Sequence, residues 1–425
     1  MDGKKPGKNL SDIQEINRAL VLKNLRNNPN CSRSQIARNT GLQQATITKI
    51  VNDFIDSGIV IETKLLKNER GRRSIGLALN AEHYMVIGVR LTRSHIYVGL
   101  YDIAGKEYNL IRESINISEG AEEAIKRMNR VIHYMLDTAG NEYILGIGVG
   151  LPGPFLKEEG IIAVMADFPG WEGYSIRLGL EEEFGKIIYT VHDAYANGLA
   201  EWWFGNKREE SKILLSVSME EGLGAGLINN GKIYYGTQGI AGEIGHISID
   251  YQGLPCVCGN RGCLRNYCTK AAVVRQAMEG LEQHPESALN RLPDIRLESI
   301  VQAALEGDTF SADLIRQAGT FLGYGLINAI YAYNPDMIVL SREFAQAGDL
   351  YLNAVKEVLQ ARLLPIIYNE LRIEFSKLTH DPVLMGAVAL VTDFIFMNPS
   401  YIVKLGDGQK KKQASETTEK VSSIM

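Results

Sequence analysis

The spacing of apolar positions changes character twice along the chain. In "SRSQIARNTGLQQATITKIVNDFIDSGIVIET", Ile47, Ile50, Val51, Phe54 and Ile55 recur at i, i+3, i+4, i+7 and i+8, which predicts the buried face of one helix. Gln44, Thr48, Lys49 and Asn52 fall on its opposite, polar face. Ser32 followed three residues later by Gln35 has the form of a capping box opening a shorter preceding helix, with Asn39, Thr40 and Gly41 as the turn between the two. A further helix over roughly 12–27, with Ile16, Leu20 and Leu25 turned inward, completes a three-helix core. After Gly58 the segment "IVIETKLLKNERGRRSIGLALN" predicts a β-hairpin with Arg70, Gly71, Arg72 and Arg73 at or near its tip.

From Tyr84 onward the alternation is that of strands interleaved with helices. "YMVIGVRLTRSHIYVGLYDIAGKEY" predicts a hairpin, "ILGIGVGLPGP" a buried strand running into a Gly-Pro turn, and "IIYTVHDAYANGLAEWWFG" a strand meeting a helix. "SKILLSVSMEEGLGAGLINNGKIYYG" reads as two strands around glycines, and "DMIVLS" as a short strand between helical stretches. The predicted body is α/β in two lobes. "VRQAMEGLEQHPESALNRLPDIRLESIVQAALEGD" reads as helix with a surface insertion, "LINAIYAYNPDMIVLS" as core or a dimer face, and residues 398–425 as a polar, disordered tail.

A chain of 425 residues exceeds what one core fills, so two or three domains are expected. The boundaries read as 1–80, 81–198 joined by a C-terminal helix over 381–397, and 199–380. No long uncharged apolar run appears, and the basic N-terminus has no apolar stretch behind it, so a cytoplasmic protein with no membrane association is expected. In that reducing setting the cluster Cys256, Cys258 and Cys263, with His246 upstream in "GEIGHISIDYQGLPCVCGNRGCLR", reads first as a metal site and second as free thiols. Cys31 reads as a small core residue.

Charge sharpens the reading of the head. The first 80 residues hold 14 Lys and Arg against 7 Asp and Glu, which leaves 31 against 43 for the remainder, within a net charge of −5. A basic head on an acidic body, with a helix-turn-helix pattern and an arginine-tipped wing, points to double-stranded operator DNA. An ordinary helical hairpin with a solvated basic surface is the alternative. Candidate DNA contacts are Ser32, Arg33, Gln43, Gln44, Thr46, Thr48, Lys49 and Asn52 around the second helix. Arg70, Arg72 and Arg73 on the wing suit phosphates or a narrow minor groove.

With these motifs in place, the body over about 85–396 resembles the ROK family of repressors, open reading frames and sugar kinases. The head resembles the winged helix-turn-helix domain of its repressor branch. The carrying element is G-E-x-G-H followed by C-x-C-G-x-x-G-C, at Gly242–His246 and Cys256–Cys263. The resemblance implies a two-lobed, actin-like and ribonuclease-H-like ATPase fold. It also implies one structural Zn²⁺ on His246, Cys256, Cys258 and Cys263, a closed tetrahedral set with no open catalytic position. Cys268 is a less favoured fourth ligand.

The resemblance further implies a sugar site with Glu243 and His246 facing the sugar and Asp193, in "HDAYANG", at the kinases' catalytic base. Here the pattern departs. The kinases' N-D-A-N reads His192, Asp193, Ala194 and Tyr195, Asp167 stands where a sugar-binding asparagine is usual, and Arg265 replaces an expected glutamate. Arg265 would either favour an anionic sugar derivative or pair with Asp193 or Glu243.

On the nucleotide side the kinases' D-x-G-G-T-K reads Arg90, Leu91, Thr92, Arg93, Ser94 and His95. Their second phosphate loop begins here with Glu220 and Glu221, and the adenosine glycines are Ser341, Arg342 and Glu343. ATP binding and kinase activity are not expected. Two classes of function follow: a repressor of carbohydrate genes, dimeric or a dimer of dimers, released by a carbohydrate effector or controlled by a sugar-uptake protein; and, disfavoured, a DNA-binding sugar kinase.

Overall fold

The computed structural model describes residues 9–67, 73–116, 120–139, 143–153, 155–156, 161–162, 171, 173–205, 207, 210–219 and 222–405. The head is α1 (Leu10–Asn27), α2 (Arg33–Thr40), α3 (Gln44–Asp56), β1 (Val60–Lys67) and β2 (Arg73–Leu79). Asn9 and Asp12 form a capping box at the start of α1, and Ser32 and Gln35 form another at α2. Gly41 ends α2 at φ 71°, a left-handed position that glycine takes without the cost a Cβ brings. Ile47, Ile50, Val51 and Phe54 of α3 are buried, and Ile55 is half-buried.

The inward face of α1 differs from expectation. Ile16 and Leu20 are each 40% exposed, while Ala19, Val21, Leu22 and Leu25 are buried. The helix is wedged between α2 and α3 on one side and the last long helix of the body on another, so two neighbours rather than one select its buried positions. A single apolar cluster accordingly runs from Leu22, Ile36, Ile47 and Phe54 through Tyr84, Trp202 and Trp203 to Phe396 and Ile402.

The first lobe holds β3 (Tyr84–Leu91), β4 (His95–Asp102), β5 (Glu107–Ser114), α4 (Ala121–Thr138), β6 (Tyr143–Leu151) and a short pair, β7 (Phe155–Leu156) and β8 (Ile161–Ile162). It continues through α5 (Ile176–Phe184) and β9 (Ile188–His192) into α6 (Asp193–Trp203). The second begins with β10 (Ile213–Ser218), β11 (Gly224–Asn229) and β12 (Lys232–Ile233), then α7 (Arg265–Cys268), α8 (Lys270–Gly280), α9 (Leu297–Leu305) and α10 (Thr309–Tyr333). It ends with β13 (Met337–Leu340), α11 (Asp349–Arg362), α12 (Pro365–Tyr368) and β14 (Arg372–Phe375), after which α13 (Pro382–Met397) returns to the first lobe.

The two main sheets share one plan. In the order β5-β4-β3-β6-β9, the first three strands are antiparallel and β3, β6 and β9 are parallel. In β12-β11-β10-β13-β14 the same arrangement recurs, with β10, β13 and β14 parallel. Between the sheets lie α6, against β10 and β11, and α13, against β3 and β6, packed on each other. The approach is backbone to backbone: a Cβ on Gly386 would stand 1.8 Å from the Ala196 carbonyl oxygen, and one on Gly226 2.3 Å from that of Ala194. The expected lobe boundary after residue 198 falls inside α6, so this helix belongs to both lobes.

Two further expectations are corrected. Residues 400–405 are helical, Ile402 is fully buried, and Ser400 bonds both Glu15 and Arg18, so the fold extends past 398 to 405. The segment taken as a surface insertion contributes Leu289 to the second lobe's core, with His284 stacked 4.0 Å from Phe310. Apolar side chains on short helical turns fill gaps that a pattern search over long helices passes by.

Candidate functional sites

On the head, Gln43, Gln44, Thr48, Lys49 and Asn52 are exposed together along the start and outer face of α3, and Thr46 is half-buried. The Thr48 hydroxyl donates to the Gln44 carbonyl at 2.9 Å, which leaves its lone pairs and methyl facing outward. Arg33 donates to Asn52 Oδ1 at 3.3 Å and pairs with Glu62 at 3.3 Å. Asn52 is thereby left its NH₂ group for an acceptor. Ser32 is a correction: it is 2% exposed, and its hydroxyl accepts from Gln35 N, so it caps α2 and presents nothing to a ligand. The backbone of Arg73 pairs with Lys67 in the wing, while Arg70 and Arg72 lie outside the described residues.

In the second lobe His246, Cys256, Cys258 and Cys263 offer ligand atoms all within 4.8 Å of one another. Cys258 Sγ lies 3.7 Å from Cys263 Sγ, and Cys256 Sγ 3.8 Å from His246 Nδ1. A tetrahedron with a metal–sulfur bond of about 2.3 Å has edges of about 3.8 Å, so the side chains present fit one four-coordinate ion. The same sulfur separation is far from a disulfide. Short isolated bridges, Ser248 with Cys263 and Pro255 with Arg261, fold the loop back on itself and bring the four together. A hydrogen bond from the Asn260 backbone holds the Cys258 thiol below its usual range, while burial and then the neighbouring thiols push Cys263 up to about 12. Cys268 is fully buried and donates to the Leu264 carbonyl, so it stands outside the set; Cys31 is a core residue of the head.

His246 also feels the charges of Glu243 and Arg265. Burial lowers its pKa, the Glu243 carboxylate opposes that, and Arg265 adds to it, so all three groups lie within electrostatic reach. Asp193 is the first residue of α6, at the end of β9. Its Oδ1 lies 3.1 Å from His192 Nε2 and accepts from Ala194 N at 2.6 Å. The expected pairing of Arg265 with Asp193 or Glu243 is not made within 4.0 Å among the described residues; Arg265 is half-buried at the start of α7. Asp167 lies outside the described residues. Tyr195, which stands at the last position of the kinases' N-D-A-N, donates its hydroxyl to the carbonyls of Ala241 at 2.6 Å and Gly239 at 3.1 Å, and its ring meets His192 edge-on at 5.4 Å. It ties α6 to the loop that carries Glu243, a role its place in the sequence motif does not reveal.

The described residues at the positions expected for a nucleotide make their bonds within the chain itself. Arg90, at the first residue of the kinases' phosphate motif, makes an ion pair with Asp381, whose other oxygen caps α13 through Val383 N at 2.9 Å and Leu384 N at 3.0 Å. Thr92 Oγ1 accepts from His95 N at 3.0 Å and closes the turn where paired glycines are expected in kinases. The Ser341 hydroxyl accepts from Met219 N at 3.0 Å and donates to Glu343, and Arg342 donates to the Thr379 carbonyl. Glu220 and Glu221 lie outside the described residues.

A winged helix-turn-helix head joined to a two-lobed body of sugar-kinase type is the class these elements define. A ROK family profile matches residues 86–394, and a winged helix-turn-helix DNA-binding profile matches 16–61. The chain belongs to the ROK family. It is 30% identical over 395 residues to a xylose repressor of Caldicellulosiruptor bescii, covering 92% of this chain and 98% of that one. It is 31% identical over 387 residues to the DNA-binding transcriptional dual regulator NagC of Escherichia coli, covering 90% and 94%. A crystal structure of a ROK family transcriptional regulator, a homolog of E. coli Mlc, superposes with a TM-score of 0.81 at 25% identity, over 92% of this chain and all of that one. Among the described residues no helix is long and apolar enough to cross a membrane.

Proposed function

We propose that this protein is a sequence-specific transcriptional repressor of carbohydrate uptake or metabolism genes, released from its operator by a sugar or sugar derivative. The observation that carries the reading is a division within one molecule. The head exposes a row of amide, hydroxyl and ammonium groups on α3, while the body carries Asp193, Glu243 and His246, which the resemblance assigns to a sugar, and pairs Arg90, which it assigns to the nucleotide side, with Asp381. Relatives named for xylose and N-acetylglucosamine support a sugar as the signal. Without bound ATP, a sugar hydroxyl that gives its proton to Asp193 has no phosphoryl group to attack, so the site serves recognition and not catalysis.

In this reading Gln43, Gln44, Thr46, Thr48 and Asn52 meet base edges in the major groove, Lys49 and Arg33 meet phosphates, and Arg70, Arg72 and Arg73 follow the wing to the neighbouring backbone. The effector contacts are Asp193, His192, Glu243, His246, Arg265 and Asp167. Zn²⁺ held by His246, Cys256, Cys258 and Cys263 fixes the loop that bears two of these contacts; the ion supplies structure and no chemistry. A homodimer would set two heads on half-sites about 34 Å apart or a multiple of it. The exposed Tyr324 and Tyr331 of α10 favour that helix as part of the dimer face.

The test is fluorescence anisotropy on DNA from upstream of the protein's own gene at fixed salt, with a panel of sugars, sugar phosphates and sugar acids. Tight binding released by one compound is the expected result. Absence of specific DNA binding sinks the proposal, and DNA binding that no compound shifts moves the signal to a protein partner.

A further inference from the structure

Helix α6 has a different partner at each end. Its first residue is Asp193, with the carboxylate 3.1 Å from His192 Nε2. Its last, Trp203, lies under the guanidinium of Arg26, whose Cζ is 3.8 Å from the indole centroid. Arg26 belongs to the last turn of α1 in the head. Phe396 of α13 completes the contact, 5.8 Å from Trp203 and 5.7 Å from Arg26. Asp393, half-buried one turn earlier on α13, lies in the field of Lys23 and Arg26. The head therefore rests on the ends of the two helices that separate the lobes.

Every residue of α6 from Ala194 to Trp203 is buried, and its backbone touches β11 at Gly226 and α13 at Gly386 with no side chain between. A helix of 11 residues spans about 16 Å, and one clamped in this way cannot absorb a displacement by rearranging side chains. A shift of Asp193 must appear at Trp203.

We infer that α6 carries effector occupancy at Asp193 to the DNA-binding head, with the stacking of Arg26 on Trp203 as the transmitting contact. This rests on the regulatory reading above and names the route by which it works. A sugar drawn to the Asp193 carboxylate pulls the N-terminal end of α6, moves the indole beneath Arg26, and turns α1 against α2 and α3. Reciprocity requires that operator binding at the head be felt in the body by the same factor, about 5 to 150 for typical couplings.

All three tryptophans, Trp171, Trp202 and Trp203, are in the body, so intrinsic fluorescence follows the body, and Trp203 also senses its contact with Arg26. The experiment melts full-length wild type, Arg26→Gln, Arg26→Lys and Trp203→Leu by tryptophan fluorescence, with and without the upstream duplex. Anisotropy measures duplex affinity with and without D-xylose or N-acetylglucosamine. The expected result is a duplex-dependent rise in melting temperature for wild type that Arg26→Gln and Trp203→Leu lose, with Arg26→Lys between. Arg26→Gln keeps its duplex affinity within about twofold, since this side chain is not a DNA contact. Whichever sugar weakens the wild-type complex leaves the Arg26→Gln complex unchanged, although calorimetry finds the same sugar affinity in the DNA-free variant. An Arg26→Gln protein that keeps both the melting shift and the sugar response overturns the inference. If neither sugar acts, the melting shift alone decides; if wild type binds no duplex, the regulatory reading fails first and this one with it.

Discussion

The hydroxyl of Tyr84, at the first residue of β3, donates to the carbonyl of Ser57, the residue that ends recognition helix α3. Both groups are buried, so the bond fixes the end of α3 to the edge of the first lobe without competition from water. Tyr84→Phe leaves the Ser57 carbonyl buried and unsatisfied. A loss of about 1 to 3 kcal/mol is expected in chemical denaturation, together with weaker DNA binding at constant body structure. An unchanged midpoint would show that water replaces the bond.

The loop of His246, Cys256, Cys258 and Cys263 gives a second test. Purified protein is expected to carry one equivalent of zinc, and Cys258→Ser to lose it with a clear drop in melting temperature; a chelator should reproduce the drop in wild type. One retained equivalent with an unchanged melting temperature would remove the ion from the account.

On the head, two exchanges that sequence alone places side by side should behave differently. Lys49→Ala is expected to weaken binding to all sequences alike and to lower the slope of log affinity against log salt by about one. Ser32→Ala removes a buried cap, so it should cost about 0.5 to 2 kcal/mol of stability while leaving the salt slope and operator preference as they were. A changed operator preference for Ser32→Ala would return it to the interface.

Asp381→Asn separates the two roles of that side chain. Asparagine still caps α13 through its carbonyl oxygen but no longer neutralises Arg90, so a stability loss of roughly 3 kcal/mol is expected. Calorimetry should detect no ATP binding in either protein. ATP affinity in wild type would reopen the kinase reading.

Acid sensitivity follows from Asp336. Burial works against its carboxylate, but bonds from the Ser211 hydroxyl, Lys212 N at 2.8 Å and Ile213 N at 3.2 Å outweigh it and hold the pKa below the ordinary 3.8. The folded value is the lower one, so the stabilisation is complete above the unfolded pKa and is lost as pH falls through the folded pKa. Asp336→Asn should therefore be less stable than wild type at pH 7 and lose less on acidification toward pH 3. Parallel pH profiles for the two would assign the acid sensitivity elsewhere.

Much of this was legible in the chain before any coordinates. The period of α3, the capping box at Ser32, the alternation of β3 and β4, and the tight cysteine cluster are local patterns, and local patterns survive in any tertiary setting that keeps the element. The wrong face of α1 shows the limit. Ile16 and Leu20 fit a helix with one apolar neighbour, and α1 has two, the second of which arrives from the far end of the chain.

By itself the sequence determined most element types, the helix-turn-helix and the His–Cys cluster, because each is set by residues a few positions apart. Only the tertiary structure decided that Arg90 is matched by Asp381, that Ser32 turns inward, that residues 400–405 join the fold and that Trp203 meets Arg26. These contacts join residues distant in sequence, and their geometry depends on how α6 and α13 pack between the two sheets. No short-range pattern carries that information.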